Sequence, residues 1–251
     1  MGAIALYARA GAHFDERVAH AVAMLQSAAT EHAGAIVQAT SLGAEDMVLT
    51  DLIARHQLPI AVGTLDTGKL HAQTLALIPR IEARYGLSIE RYAPLQEAVL
   101  HFVRRHGEEP MYRSIELRKA CCALRKLNPL QRMLSERSAW VTGLRRQQSS
   151  NRGGVLFSER DAAGKSKLNP LADWTWGDVW HHIATREMVR AFAQEVLPLL
   201  LELEPGGAEV SGAFADLIDA GHKDAPVDEL TLARGQPRRH RREVAPRAVL
   251  A

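Results

Sequence analysis

Apolar and polar positions along the first half of the chain alternate between a helical and an extended pattern. Over 14–30, Val18, Val22 and Leu25 recur at helical spacing with Asp15 and Glu16 in the first turn, which predicts an amphipathic packing helix. An apolar run at 35–39 predicts a strand, and Met47, Leu49, Leu52 and Ile53 predict the helix behind it. The same step returns with a run at 60–65 and a helix over 70–85, then with 88–92 and 95–106. Repeated strand-to-helix steps argue for an α/β fold with a Rossmann-like parallel sheet flanked by helices, whose ligand loops leave the carboxyl ends of the strands. Beyond Gly107 the pattern loosens. The stretch LRKACCALRKLNPL predicts a short helix ended near Pro129, 139–143 reads as a fourth strand, and a last helix follows Asp173 or Thr175 as cap, docked by Trp174, Trp176 and Trp180.

Composition narrows the function classes. The 251 residues are 47% apolar and 24% charged with a net charge of +2, an ordinary globular balance that points to neither nucleic acid nor a membrane surface and leaves an anionic small molecule open. The longest apolar stretch, 196–203, is broken by Pro198 and Glu202 and is too short for a bilayer, and the first residues lack a secretion signal's basic start and apolar run. A cytoplasmic protein of one principal domain is expected.

Three loops carry candidate chemistry. Ser41-Leu42-Gly43-Ala44-Glu45-Asp46 joins the first strand to its helix. Helix-start N–H groups, a glycine that lets an oxyanion approach and the Ser41 hydroxyl together form a phosphate cradle, although the stretch lacks a P-loop lysine and also reads as an ordinary turn. Leu65-Asp66-Thr67-Gly68 leaves the second strand, with Asp66 either contacting a sugar or base or capping the next helix. Arg145, Arg146 and Arg152 follow the fourth strand, where guanidinium forks suit phosphate or sulfate and a solvated basic loop is the alternative. Beside these stands the chain's only cysteine pair, Cys121 and Cys122, flanked by Arg118, Lys119, Arg125 and Lys126, which would stabilise thiolates. Such a pair suits metal or iron–sulfur chemistry, or else fills space as small buried apolar residues. His181, His182 and His222 are the other candidate metal ligands.

Together, SLGAED at 41–46, TLDTGKLH at 64–71, ELRKACCALRKLNPL at 116–130, WVTGLRRQQSSNR at 140–152 and KLNPLADWTWGDVWHHI at 167–183 resemble the assimilatory adenylylsulfate and phosphoadenylylsulfate reductases, in the family's order and spacing over 14–184. The resemblance implies an adenine-nucleotide α-hydrolase-like fold and thiol-dependent reduction of adenylylsulfate, or of its 3′-phosphorylated form, to sulfite and AMP in sulfate assimilation and cysteine biosynthesis. It places Ser41, Leu42, Gly43, Glu45 and Asp46 along the phosphosulfate and Leu65, Asp66, Thr67 and Gly68 beside the adenosine. Arg145, Arg146 and Arg152 would close on the anionic end. The tandem cysteines resemble the iron–sulfur, adenylylsulfate-using branch. Cys121 and Cys122 would then be two ligands of a [4Fe–4S] cluster, with Lys126 placing a positive charge between cluster and substrate. Thioredoxin, or glutathione with glutaredoxin, would be the reductant, and a homo-oligomer is compatible with this reading.

One departure concerns the chemistry. The family has a second cysteine pair and a nucleophilic cysteine further along; here no cysteine follows Cys122. The chain divides into a reductase-like domain over 1–184 and a divergent segment over 185–251, expected to be helical with a basic, disordered tail. Three explanations stand: a frameshift near Met188, an intact homologue that binds the nucleotide without reducing it, or a cluster completed across a homodimer. An ATP-pyrophosphatase that adenylates its substrate would share the fold and a similar first loop.

Overall fold

The computed structural model describes residues 7–149 and 152–185; the segment over 185–251 and its basic tail therefore lie outside the described residues apart from residue 185. Six strands form one sheet: β1 (Ile36–Thr40), β2 (Ala61–Leu65), β3 (Ile89–Tyr92), β4 (Ala139–Val141), β5 (Ser158–Arg160) and β6 (Ser166–Leu168). Their order is β3-β2-β1-β4-β6-β5, with all pairs parallel except β5 against β6. In register, Gln38 of β1 faces Val62 of β2 on one side and Val141 of β4 on the other. The chain runs outward from β1 through β2 to β3 and restarts on β1's other side with β4. Loops leaving β1 and β4 thus diverge at a topological switch point, where ligands of such sheets bind.

Every β1 side chain is buried, as a central parallel strand covered on both faces requires. On one face α1 (Phe14–Glu31), α2 (Ala44–Arg55) and α7 (Trp176–Thr185) bury Leu25, Leu49, Val179 and Trp180 against Ile36, Ala139 and Val141. Nearby, α3 (Ala72–Tyr85) packs Leu77, Ile78 and Ile81 on Val62 and Ile89. On the opposite face Leu130, Met133 and Leu134 of α6 (Asn128–Leu134) pack on Val37, Ala39, Leu65 and Trp140. The approach of α6 requires Gly63, where a Cβ would meet Met133 Cε at 3.0 Å. The remaining helices are α4 (Gln96–His106) and α5 (Ile115–Cys122). No helix among the described residues is long and apolar enough to cross a membrane.

The elements lie close to those the sequence predicts, with three differences. Pro129 does not end the cysteine helix. The chain stays helical from α5 through a π-helical turn at Ala123–Leu127 into α6, with Pro129 in the first turn of α6. A wider π turn relieves the clash and lost hydrogen bond that proline imposes on a regular helix. The β5–β6 hairpin was not foreseen, because strands of three residues are too short to display alternation. Finally, α3 begins at Ala72, well past Asp66, so Asp66 does not cap it; its Oδ1 accepts from the Gly68 N–H at 3.1 Å and closes its own turn. Between the two proposed caps of α7, the structure selects Thr175: its Oγ1 accepts from Asp178 N (3.0 Å) while Asp178 Oδ2 accepts from Thr175 N (2.8 Å).

Candidate functional site

The loop after β1 turns on Leu42, held at φ 64 in the left-handed region, with its N–H donated to Thr40 Oγ1 at 3.0 Å. Gly43 then opens α2 in an extended conformation, and Leu42 itself is buried against α3. The first turn of α2 points its acidic residues inward. Asp46 accepts the Ser41 N–H at 2.6 Å and the Ser41 hydroxyl at 2.5 Å, both on Oδ2, while Gln38 donates to the Asp46 carbonyl at 2.7 Å. Burial pushes the Asp46 carboxyl up to about 6; Ser41 and the Gly143 N–H work against that rise and the Glu45 charge adds to it.

Glu45 and Arg145 join the β1 loop to the β4 loop. Glu45 Oε1 accepts from Arg145 Nε (3.0 Å), Arg145 Nη2 (2.8 Å) and Gln148 Nε2 (3.0 Å), with Glu45 2% and Arg145 3% exposed. Arg145 also donates to the Trp174 carbonyl at 3.3 Å and lies over the Trp176 ring, 5.3 Å from its centroid. An ion pair this deep is tolerated because its donors and acceptors are nearly all used. Gly143 permits the junction: a Cβ there would stand 2.6 Å from Asp46 Oδ1 and 2.8 Å from Glu45 Cβ. Further along, Arg152 donates to the Gln148 side chain and is buried, whereas Arg146 donates to the Val155 carbonyl at 2.8 Å and stacks over Phe157.

The loop after β2 opens on the same sheet edge. The Leu65 side chain faces the core with Leu130 and Met133, so only its backbone borders the edge. Gly68 sits at φ 67, and Lys69 N donates to Thr67 Oγ1 at 3.2 Å. Arg125 connects this loop to the cysteine helix by donating from Nη1 to the Thr67 carbonyl at 2.8 Å. Its buried Nε finds no acceptor among the described residues. Cys121 is buried and Cys122 half-buried, both as free thiols. Burial and the neighbouring Cys121 push the Cys122 thiol up, and Lys126 and Arg118 only partly offset them, so the flanking cations do not produce the low thiol value the sequence suggests.

The first-strand loop, second-strand loop, fourth-strand loop and cysteine helix are thus linked through Asp46–Ser41, Glu45–Arg145 and Arg125–Thr67. Arg125, Gly143 and Gln148 were not among the candidate site residues. Gly143 at a strand end was a readable signal, but the partners of Arg125 and Gln148 lie far away in sequence. The thiol pair does not fit a [4Fe–4S] cluster within one chain, since such a cluster takes four thiolates and the sequence has two cysteines. No set of three or more His, Cys, Asp or Glu side chains comes together as a metal site among the described residues, which include His181 and His182; His222 lies outside them.

Residues 35–190 match the family described as phosphoadenosine phosphosulfate reductase domain. The chain is similar to the adenosine 5′-phosphosulfate reductase of Allochromatium vinosum, 51% identical over 168 residues, which is 66% of this chain and 65% of that protein. It is also similar to the protein of the same name from Burkholderia cepacia, 48% identical over 162 residues, 64% of this chain and 62% of that one. The matched stretch therefore spans less than two thirds of these relatives. Among solved structures, a phosphoadenylyl-sulfate reductase from Candida auris superposes with a TM-score of 0.57 at 24% identity, covering 71% of this chain and 88% of that one. The NMN synthetase of Francisella tularensis superposes at 0.53 with 12% identity, covering 87% and 90%. Both likenesses bear on the fold alone.

Proposed function

The chain belongs to the phosphoadenosine phosphosulfate reductase domain family, and from that premise we propose that its edge crevice binds adenylylsulfate for thiol-dependent reduction to sulfite and AMP. The observation that carries this reading is the convergence of the β1, β2 and β4 loops at the switch point, with the only two thiols one hydrogen-bonded step away through Arg125. The names of the relatives, and this chain's own tandem cysteines, which resemble the adenylylsulfate-using branch, favour adenylylsulfate over its 3′-phosphorylated form.

Within this reading the residues divide the work. Gly43 and the first turn of α2 offer backbone N–H groups to the phosphosulfate, and Asp66 to Gly68 border the adenosine. Arg145 acts through Glu45 as a positioning residue that fixes the β4 loop, rather than as a free cation for the anion. Arg125, whose Nη1 lies beside Gly68 and whose buried Nε has no acceptor among the described residues, and Lys126 supply positive charge on the thiol side. Reduction requires a thiolate to attack the sulfonate sulfur and displace AMP, leaving a thiosulfonate that a second thiol cleaves to sulfite. This chain carries no cysteine outside its pair for that attack, so we assign binding to the chain and the attacking thiol to a component outside it.

Calorimetric titration of the full chain with adenylylsulfate, adenosine and ATP, beside a sulfite-release assay with thioredoxin, tests both halves. Adenylylsulfate is expected to bind more tightly than adenosine, without sulfite release by this chain alone. Tighter binding and hydrolysis of ATP would replace this reading with an adenylating one, and sulfite release would return the attack to Cys121 or Cys122.

A further inference from the structure

The cradle contains a group that works against an anionic ligand. Ser41 brings two donors to the loop mouth, and both end on Asp46 Oδ2, at 2.6 and 2.5 Å. The Gly143 N–H reaches the same carboxylate from the end of β4, and only a glycine there leaves room for it. An ionised carboxylate with these donors stands where a hydroxyl-bearing loop and a helix start would otherwise receive an oxyanion. Taking adenylylsulfate as the ligand, as read above, we propose that Asp46 is a built-in competitor for the phosphosulfate, displaced from Ser41 when it takes up a proton from solvent as the anion enters. Protonation removes the like-charge repulsion and turns the carboxyl from an acceptor into a donor toward the incoming oxygen.

The surroundings suit that exchange. The charged groups facing Asp46 are Glu45 on its own helix and, bonded to Glu45, Arg145 from the β4 loop; β1 and its loop bring neutral Gln38, Thr40 and Ser41. No cation bonds the Asp46 carboxylate among the described contacts, and burial already holds its titration near 6, within reach of neutral pH. Substrate selection follows, because a ligand must repay the displacement with a compact, doubly charged group at this point.

The test is the pH dependence of adenylylsulfate affinity in the full chain and in Asp46→Asn. Both acidic groups of adenylylsulfate are strong, so its charge is constant in this range, whereas AMP is unsuitable because its second phosphate proton leaves near 6. If only the protonated form binds, wild-type affinity rises by up to about 20-fold between about pH 7.5 and about pH 5.5. Asp46→Asn should bind equally well at both values, and at least as tightly as wild type at the higher one. A wild-type affinity independent of pH, or an Asn variant that keeps the dependence, overturns the proposal. Thermal protection by inorganic sulfate, a dianion throughout, reads the same cradle independently of the nucleotide. Should adenylylsulfate bind at neither pH, the functional reading falls, while sulfate protection that strengthens in acid in wild type but not in Asp46→Asn still upholds the competitor. Equal sulfate protection in both proteins at both pH values overturns it.

Discussion

Asp46 and Asp51 lie about one and a half turns apart on α2, both buried, and the protein treats them in opposite ways. At the middle of the helix Asp51 is surrounded by cationic and donor groups: His182 Nε2 donates to Oδ2 at 2.9 Å, Arg55 Nε to Oδ1 at 2.7 Å and the Tyr85 hydroxyl to Oδ1 at 3.3 Å. Burial would raise its titration, but the bonds from His182 and Arg55 win and hold it below the ordinary carboxylate range. At the helix start Asp46 receives only neutral donors, and burial wins. One carboxylate bolts α2 to α7; the other is held, at a cost in stability, where the sheet opens to ligand. A fold that satisfies one buried acid so fully could satisfy the second, and its failure to do so marks the site.

The largest expected effect comes from breaking the bolt. Asp51→Ala leaves His182 buried without its acceptor and frees α7, and should lower unfolding free energy by about 3–5 kcal/mol in urea denaturation, with the midpoint shifted at unchanged slope. Breaking the site end should act on binding more than on stability. Gly143→Ala drives a methyl into Asp46 and Glu45, costing about 1–3 kcal/mol of stability and most of the adenylylsulfate affinity by calorimetry. A Gly143→Ala protein that binds normally would show that the β1 and β4 loops do not meet at the ligand.

The two acids also predict opposite pH slopes. Asp51, depressed in the fold, contributes stability that is complete above its unfolded value of 3.8 and is lost as pH falls toward its folded value. Asp46, raised to about 6, instead costs stability when ionised, on the order of 3 kcal/mol, and that cost fades as pH falls from about 7 to about 4. Asp46→Asn should remove a component of stability that rises toward acid, and Asp51→Asn one that falls. Relative to wild type, the thermal midpoint of Asp46→Asn should therefore be raised near about pH 8 and converge on wild type toward about pH 4, whereas that of Asp51→Asn should stay lowered by a constant margin over that range and approach wild type only below about pH 4; the same pH dependence in both variants would mean that the two ends of α2 do not differ.

This contrast also marks what the sequence made legible. The strand-to-helix steps, the three loops at one edge and the placement of α7 were readable because apolar runs, glycines and tryptophans signal locally. Family membership was readable from five motifs in order. Pairings that span the chain were not: Glu45 with Arg145, Asp51 with His182 and Arg125 with Thr67 depend on which residues the sheet order brings together, and no local pattern encodes that. Arg145 illustrates the limit. Three arginines after a strand read as an anion clamp, yet the fold uses the first to neutralise a buried glutamate and stacks the second on Phe157. Pro129 misled for a different reason, since the π turn that absorbs it has no sequence signature.

The smallest effect extends the comparison to the thiols. Cys122 is a half-buried acid whose charged form the protein disfavours, as it does at Asp46, but here a cation, Lys126, partly opposes the burial. Lys126→Met removes that opposition and should raise the thiol's titration further. Alkylation of Cys122 by iodoacetamide, followed by peptide mass spectrometry, should be slow at neutral pH in wild type, accelerate above the ordinary thiol value, and be slower by about 3- to 10-fold in the Met variant at a given alkaline pH. The Cys121 product serves as an internal reference, since it is the more buried of the two. An unchanged rate would place the Lys126 charge too far from the sulfur to act on it, and the thiol side of the crevice would then depend on Arg125 and Arg118 for its positive field.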